Sequence, residues 1–426
     1  MGVMELSTRE LAAYPDETRW QLLDVRSIDA YNGWPMRGEK RGGHLNGATA
    51  FPISWTDYAD WRDVLDAKPI SPRRSVAVVG YDDDAPRLLA SYLTDLGYRD
   101  VAVYPHFSEW SENPALPLLR LPRYRKLIPP EWLRDLINGR AWPGETIDKY
   151  VICHASYGLR DDYEEGHIPG AVYIDTMSLE SYETWNRRSP EEIEQALCEL
   201  GINHDTTVIL YGRFNFPNSN DPYPGQSAGH LAAIRCAAIM LYAGVKDVRV
   251  VNGGLKSWID AGFELTTEES ELRRIASFGA PIPAQPEYMI DTPDAKELLA
   301  ADDGVLVSIR SWEEFIGKVS GYNYVDRAGR IPGAVFGNCG SDAYHMENYR
   351  NIDHTMREYH EIADIWARDG IVPDKHVAFY CGTGWRASEA FLNAYLMAWP
   401  RISVYDGGWF EWSNDLNNPV ETGLPD

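Results

Sequence analysis

The stretch from Val377 to Leu396, VAFYCGTGWRASEAFLNAYL, puts a cysteine where an apolar run stops and a helical segment begins. Gly382 and Gly384 permit a tight turn there, with successive backbone N–H groups pointing inward as an anion nest. The N-terminus of the following helix adds partial positive charge at the same place. Such surroundings favour a thiolate, which makes Cys381 a candidate nucleophile and equally a seat for a persulfide, Cys–S–S⁻. The competing reading is a small hydrophobe closing a buried strand. Arg386 follows after four intervening residues. Loops that enclose a tetrahedral oxyanion, in phosphatases and arsenate reductases, have five residues between Cys and Arg and a His before the Cys. Here Tyr380 takes the place of that His, and the shorter loop suits a single sulfur atom.

The other four cysteines are scattered singly, without a C-x-x-C pair or the spacing of a disulfide or zinc site. Cys198 and Cys236 sit on apolar helical faces and are expected in the core. Cys153 is expected to end a strand, and Cys339 to approach Cys381, where a resolving role is open. This usage points to a reducing, cytoplasmic compartment. The chain has 64 Asp and Glu against 40 Lys and Arg, a formal charge of −24, which argues against nucleic acid and anionic membrane as partners. No apolar run approaches the roughly 20 residues of a membrane helix, and the N-terminus lacks the pattern of a signal peptide. Nucleotide, flavin and metal signatures are absent too, so no cofactor and no metal are expected.

Positioning a thiol on such a turn requires a strand before it and a helix after it, and the chain contains that arrangement three times. GHLNGATAFPISW (Gly43–Trp55), GHIPGAVYIDTMSL (Gly166–Leu179) and GRIPGAVFGNCGS (Gly329–Ser341) line up. So do VAVYPHFSEWSE (Val101–Glu112), VRVVNGGLKSWIDAG (Val248–Gly262) and RISVYDGGWFEWSN (Arg401–Asn414). Apolar strands alternating with amphipathic helices predict an α/β architecture: three tandem domains, each a mostly parallel sheet flanked by helices. Proline-rich stretches at Arg120–Leu133 and Ala276–Met289 read as linkers, which sets domains at 1–124, 125–284 and 285–426. Aligning the strands puts Gly80 and Gly212 where Cys381 stands, so the first two domains are expected to be inactive and the third catalytic.

The run LLDVR, the GHIPGA-type turn, the strand ending in C-x-G-x-x-R and the VYDGGW turn together resemble the rhodanese (sulfurtransferase) family over nearly the whole length. The resemblance implies a sulfurtransferase in which Cys381 carries a persulfide. Rhodaneses that act on thiosulfate tend to have a pair of basic residues in this loop, whereas only Arg386 is present. The CGTG start is nearer the mercaptopyruvate type, which continues with small residues instead of Trp385-Arg386. Polysulfide, or another sulfane-sulfur donor, becomes the expected donor.

Within that family the three-domain arrangement and the CGTGWR loop are similar to the ergothioneine-forming sulfurtransferases of the anaerobic pathway. Their acceptor is hercynine, trimethylated histidine, which gains sulfur at the imidazole carbon. This likeness implies Cys381 as persulfide carrier, Tyr322 as the proton-handling tyrosine and Thr383 as a loop hydroxyl. Gly382, Gly384, Trp385 and Arg386 are expected at the substrate, with Tyr380 and Glu314 as further members of the pocket. Tyr322 lies in an insert, Ile316–Gly329, expected to fold over the cysteine loop. A trimethylammonium group calls for aromatic faces; Trp385 is the expected contact, with Trp409 and Trp412 at the rim. The third copy has Ser308 and Arg310 where the first has Asp24 and Arg26, a change at the site itself or neutral drift. The alternatives are a general thiosulfate or 3-mercaptopyruvate sulfurtransferase and a non-enzymatic persulfide carrier.

Overall fold

The computed structural model describes residues 3–13, 19–158, 160–213 and 229–425. The loop that continues from Gly212 in the second repeat lies largely outside these residues. The chain divides into two compact units, Met1–Arg125 and Lys126–Asp426.

Three five-stranded sheets are present, and in each the strands run side by side in the order first, fifth, fourth, second, third. Within these sheets the strands pair in parallel. Helices cover the faces, as a parallel sheet requires. In the third sheet the spatial order is Met289–Ile290, Ile402–Tyr405, His376–Tyr380, Gly304–Ser308 and Val335–Phe336. The two proline-rich stretches are more than linkers. Each holds a two-residue edge strand, Leu127–Ile128 and Met289–Ile290, that begins the next sheet. Proline-containing sequence tolerates this because an edge strand pairs on one side only.

Strand register aligns the repeats independently of sequence. Asp24 lies opposite Val79, His154 opposite Tyr211, and Ser308 opposite Tyr380. The next residues along the fourth strands are therefore Gly80, Gly212 and Cys381. A Cβ at Gly80 would come 2.5 Å from Pro86 Cγ, and one at Gly212 would come 2.3 Å from the Gly229 carbonyl oxygen. Both glycines occupy space that neighbours have filled.

The second and third sheets share the unit Lys126–Asp426 because two helices pack together. Helix Gly229–Ala243 is apolar and buried all round, so it must be covered on every side. Helix Trp385–Leu396, which follows the cysteine, is buried along its length as well. A strap at Glu180–Arg187 ties them further. The Asn186 amide donates to Glu411 (2.7 Å), and the Arg187 backbone N–H donates to Asp406 Oδ2 (2.7 Å). The Arg187 guanidinium reaches Asp406 and Asp291. With so much shared interior, Lys126–Asp426 expressed alone is expected to unfold in one cooperative transition; separate calorimetric transitions for its two sheets would contradict this packing.

Candidate active site

The Cys381 loop is shaped by its glycines. Gly384 has φ +89°, the left-handed conformation that L side chains avoid, and it opens the helix Trp385–Leu396. Two of its neighbours, Cys381 and Gly382, turn their carbonyls to the VYDGGW turn, accepting from the N–H groups of Trp409 (2.8 Å) and Phe410 (2.9 Å). Gly408, at φ +53°, makes that approach possible: a Cβ there would lie 2.8 Å from the Gly382 oxygen. The loop and the turn are thus one backbone-to-backbone unit. Cys381 is fully buried and Thr383 nearly so.

The Ile316–Gly329 insert folds over this loop, as expected. A Cβ on Gly382 would come 2.2 Å from Tyr322 Cε2, so only glycine admits the ring. The Tyr322 hydroxyl donates to the Ala343 carbonyl at 3.3 Å. Burial raises its phenol well above the usual range, although Arg386 nearby opposes the shift. A phenol so placed stays protonated at neutral pH and can donate a hydrogen bond.

Glu314 ties the insert and the loop together. It caps its own short helix, accepting from the Ser311 N–H (2.9 Å) while Ser311 Oγ accepts from the Glu314 N–H. The same carboxylate takes both Nη atoms of Arg386 at 2.9 Å and Arg310 Nε at 3.2 Å. Burial alone would raise this carboxyl; the adjoining Arg386, with Arg310, holds it at about 2. Arg310 also donates to the carbonyls of Ser320 (2.9 Å) and Gly329 (2.7 Å), pinning both ends of the insert.

This explains the missing aspartate. In the first repeat, Arg26 pairs with Asp24 and reaches the Gly43 carbonyl. In the third, Arg310 keeps the matching carbonyl contact at Gly329 but takes its counter-charge from Glu314. The substitution at Ser308 thereby frees a guanidinium edge for Ser320 and routes the arginine's charge into the cysteine loop.

Other residues differ from expectation. The Trp385 indole N–H is directed into the second repeat, donating to Glu180 at 3.0 Å, and its ring meets Tyr157 edge-on. Trp409 and Trp412 are buried and donate to the Arg327 and Pro419 carbonyls, so they support the turn and do not form a rim. Tyr380 is fully buried, its hydroxyl 3.5 Å from the Ile331 N–H, so its side chain lies in the core cluster with Tyr405 and Trp409. Cys236 is in the core, Cys198 is only partly buried, and Cys153 lies within strand Tyr150–Ser156 instead of ending it. Burial pushes the Cys339 thiol up to about 12, which deprives it of the thiolate a resolving role needs.

The aromatic surface beside Tyr322 comes from two repeats. Tyr322 stacks on Tyr324 (5.1 Å between centroids), Tyr324 on Trp185 (5.5 Å) and Trp185 on Tyr157 (5.4 Å). Trp185 adopts φ +64°, unusual for a bulky residue, and its carbonyl accepts from Arg235 Nη2 at 3.0 Å. Sequence reasoning missed Trp185, Glu180 and Arg235. The available signal was a lone arginine inside the apolar run LAAIRCAAIMLYA, since a buried charge must have partners. Among the described residues no His, Cys, Asp or Glu cluster is arranged to hold a metal, and no helix is long and apolar enough to cross a membrane.

Glu314→Gln leaves two buried guanidinium groups short of counter-charge, and chemical denaturation is expected to show a loss of about 3–5 kcal/mol. The pH dependence has a definite sign. With a folded value of about 2 against 4.5 ordinarily, Glu314 contributes stability that is present above 4.5 and lost as pH falls toward 2. That share is about 3 kcal/mol, and the Gln variant should lack it in acid titrations.

The family model for the rhodanese-like domain matches residues 7–113, 159–261 and 291–415. The thiosulfate sulfurtransferase YnjE of Escherichia coli K12 is 41% identical over 408 residues, covering 94% of this chain and 88% of its own. The sulfur carrier protein TtuD of Thermus thermophilus is 30% identical over 286 residues, covering 61% of this chain and 87% of its own. Wild-type EanB superposes with a TM-score of 0.97 at 53% identity, covering 100% of this chain and 99% of that one. An EanB Tyr→Phe variant, solved with a cysteine persulfide and ergothioneine in a tetrahedral intermediate state, gives 0.96 at 53% identity, covering 99% and 100%. Three matched segments, each folded as the same parallel sheet, make this chain a member of the rhodanese-like family.

Proposed function

We propose that the protein is a sulfurtransferase that moves sulfane sulfur through a Cys381 persulfide to the imidazole carbon of hercynine, forming ergothioneine. The observation that carries this reading is the placement of Tyr322 of the insert against Gly382 in the cysteine loop. It is supported by likeness at 53% identity to EanB, which has been solved with hercynine, with ergothioneine and with a cysteine persulfide. The residue types varied in those EanB structures, a tyrosine, a threonine and a cysteine, are the types at Tyr322, Thr383 and Cys381.

In the first stage the Cys381 thiolate attacks a terminal sulfane sulfur of polysulfide. One S–S bond forms, one breaks, and the shortened polysulfide anion departs. In the second, the acceptor's C–H proton passes to water and the carbon attacks the outer sulfur, the product regaining a proton at its ring nitrogen. The C–S bond forms as the S–S bond breaks, and the Cys381 thiolate leaves with the electron pair. The protonated Tyr322 phenol donates to the acceptor or the sulfur, and Thr383 orients them. Gly382 and Gly384 shape the loop at the substrate, while Arg386 and Glu314 hold it rigid. Half-buried Tyr324 and Trp185 offer the π surface that a trimethylammonium group favours. We place domain boundaries near 124 and 284, with catalysis in the third domain alone, and the protein in a reducing cytoplasm.

Cys381→Ser is expected to gain no sulfur from polysulfide and to form no ergothioneine; turnover by this variant, followed by mass spectrometry, would sink the reading. Tyr322→Phe is expected to load Cys381 with one sulfur normally yet lose about a hundredfold or more in turnover of hercynine. Activity with thiosulfate and cyanide but none with hercynine would favour the general sulfurtransferase instead. That alternative draws support from the activity for which YnjE is named.

A further inference from the structure

The cysteine loop supplies one arginine, whose Nη atoms are committed elsewhere and whose Nε is buried without a hydrogen-bond partner. Both Nη atoms of Arg386 lie on Glu314, which also answers Arg310. An anionic sulfur on Cys381 therefore has only the Arg386 Nε as an uncommitted guanidinium donor from its own loop.

The second repeat brings another cation to the same place. Arg235 projects from helix Gly229–Ala243 and is fully buried. Its Nε donates to Glu180 (3.0 Å), and its Nη2 lies 2.7 Å from Asp406 Oδ1 and donates to the Trp185 carbonyl. Its Nη1 is buried and finds no hydrogen-bond partner. A Cβ on Gly384 would come 2.9 Å from that nitrogen, so Nη1 lies directly against the turn that carries Cys381. A buried donor left unsatisfied is costly and calls for a reason. Asp406, which Arg187 also engages, begins the turn whose Gly408 sits on the Cys381 and Gly382 carbonyls. Glu180 additionally holds the Trp385 indole.

We propose that Arg235 of the second repeat is a positioning residue for the Cys381 loop, holding its unpartnered Nη1 against Gly384 so that its positive charge favours the anionic thiolate and persulfide. The catalytic site is then incomplete without the second repeat. This inference rests on the reading that Cys381 carries sulfur as an anion.

The test compares the full-length protein with Arg235→Met and Arg235→Lys, measuring iodoacetamide alkylation of Cys381 at neutral pH by peptide-resolved mass spectrometry. Loss of the charge is expected to slow alkylation about tenfold, with Lys restoring the rate to within about threefold. A purely structural arginine predicts the reverse, because a loosened loop exposes a buried thiol. An unchanged or faster rate in the Met variant would overturn the proposal. Should that variant not fold, Glu180→Gln decides, because it removes a counter-charge while keeping Arg235. After polysulfide is removed, its Cys381 persulfide should outlast that of the unmodified protein, and an equal or shorter lifetime counts against the idea. If the unmodified protein forms no persulfide at all, the sulfur-carrier reading fails, while the alkylation comparison still judges Arg235.

Discussion

Everything around the thiol depends on one buried carboxylate. Glu314 closes the cap of its own helix, neutralises the arginine of the cysteine loop and holds the arginine that pins the insert. Two segments 72 residues apart in sequence converge on two oxygen atoms. Buried ion pairs are weak evidence for stability as such, because desolvation offsets much of the attraction. What they supply is a single geometry: neither guanidinium can move without leaving a charge uncompensated in the interior. The loop, the insert and the turn at Gly407-Gly408 are thereby held in one arrangement around Cys381.

A second ionic centre, built from Glu180, Arg235, Asp406 and Arg187, does the corresponding work between the second and third sheets. Within each centre the charges are paired and also hydrogen-bonded to the backbone, which is how an interior tolerates them. The aromatic stack from Tyr322 to Tyr157 runs between the same two sheets. A repeat with glycine at the cysteine position can therefore still shape the neighbourhood of a thiol it does not own.

Much of this was legible in the chain, and the parts that were not share a cause. The thiol, its glycines and the three repeats are local signals, since strand, turn and helix are written in consecutive residues. The insert over the loop was legible as an interruption between SWEEF and RIPGAV. Trp385 was legible as a neighbour of the nucleophile, but not its indole's bond to a carboxylate some two hundred residues away. Glu314 looked secondary because its cap and Arg310 are local but Arg386 lies 72 residues further along the chain. Edge strands of two residues inside proline-rich stretches lie below what periodicity can register.

The clamp that Arg310 places on the Ser320 and Gly329 carbonyls closes the intervening residues into a loop whose mouth does not depend on its contents. Both anchor points are main-chain oxygens, and at Gly329, φ +133°, a Cβ would come 2.6 Å from the Glu421 carbonyl oxygen. Inside the loop the fit is tight: a Cβ on Gly321 would come 2.1 Å from Glu314 Oε1, and Val325 is buried in the core. A change inside this loop is therefore felt at the Glu314 carboxylate, and through Arg386 in the cysteine loop beneath it.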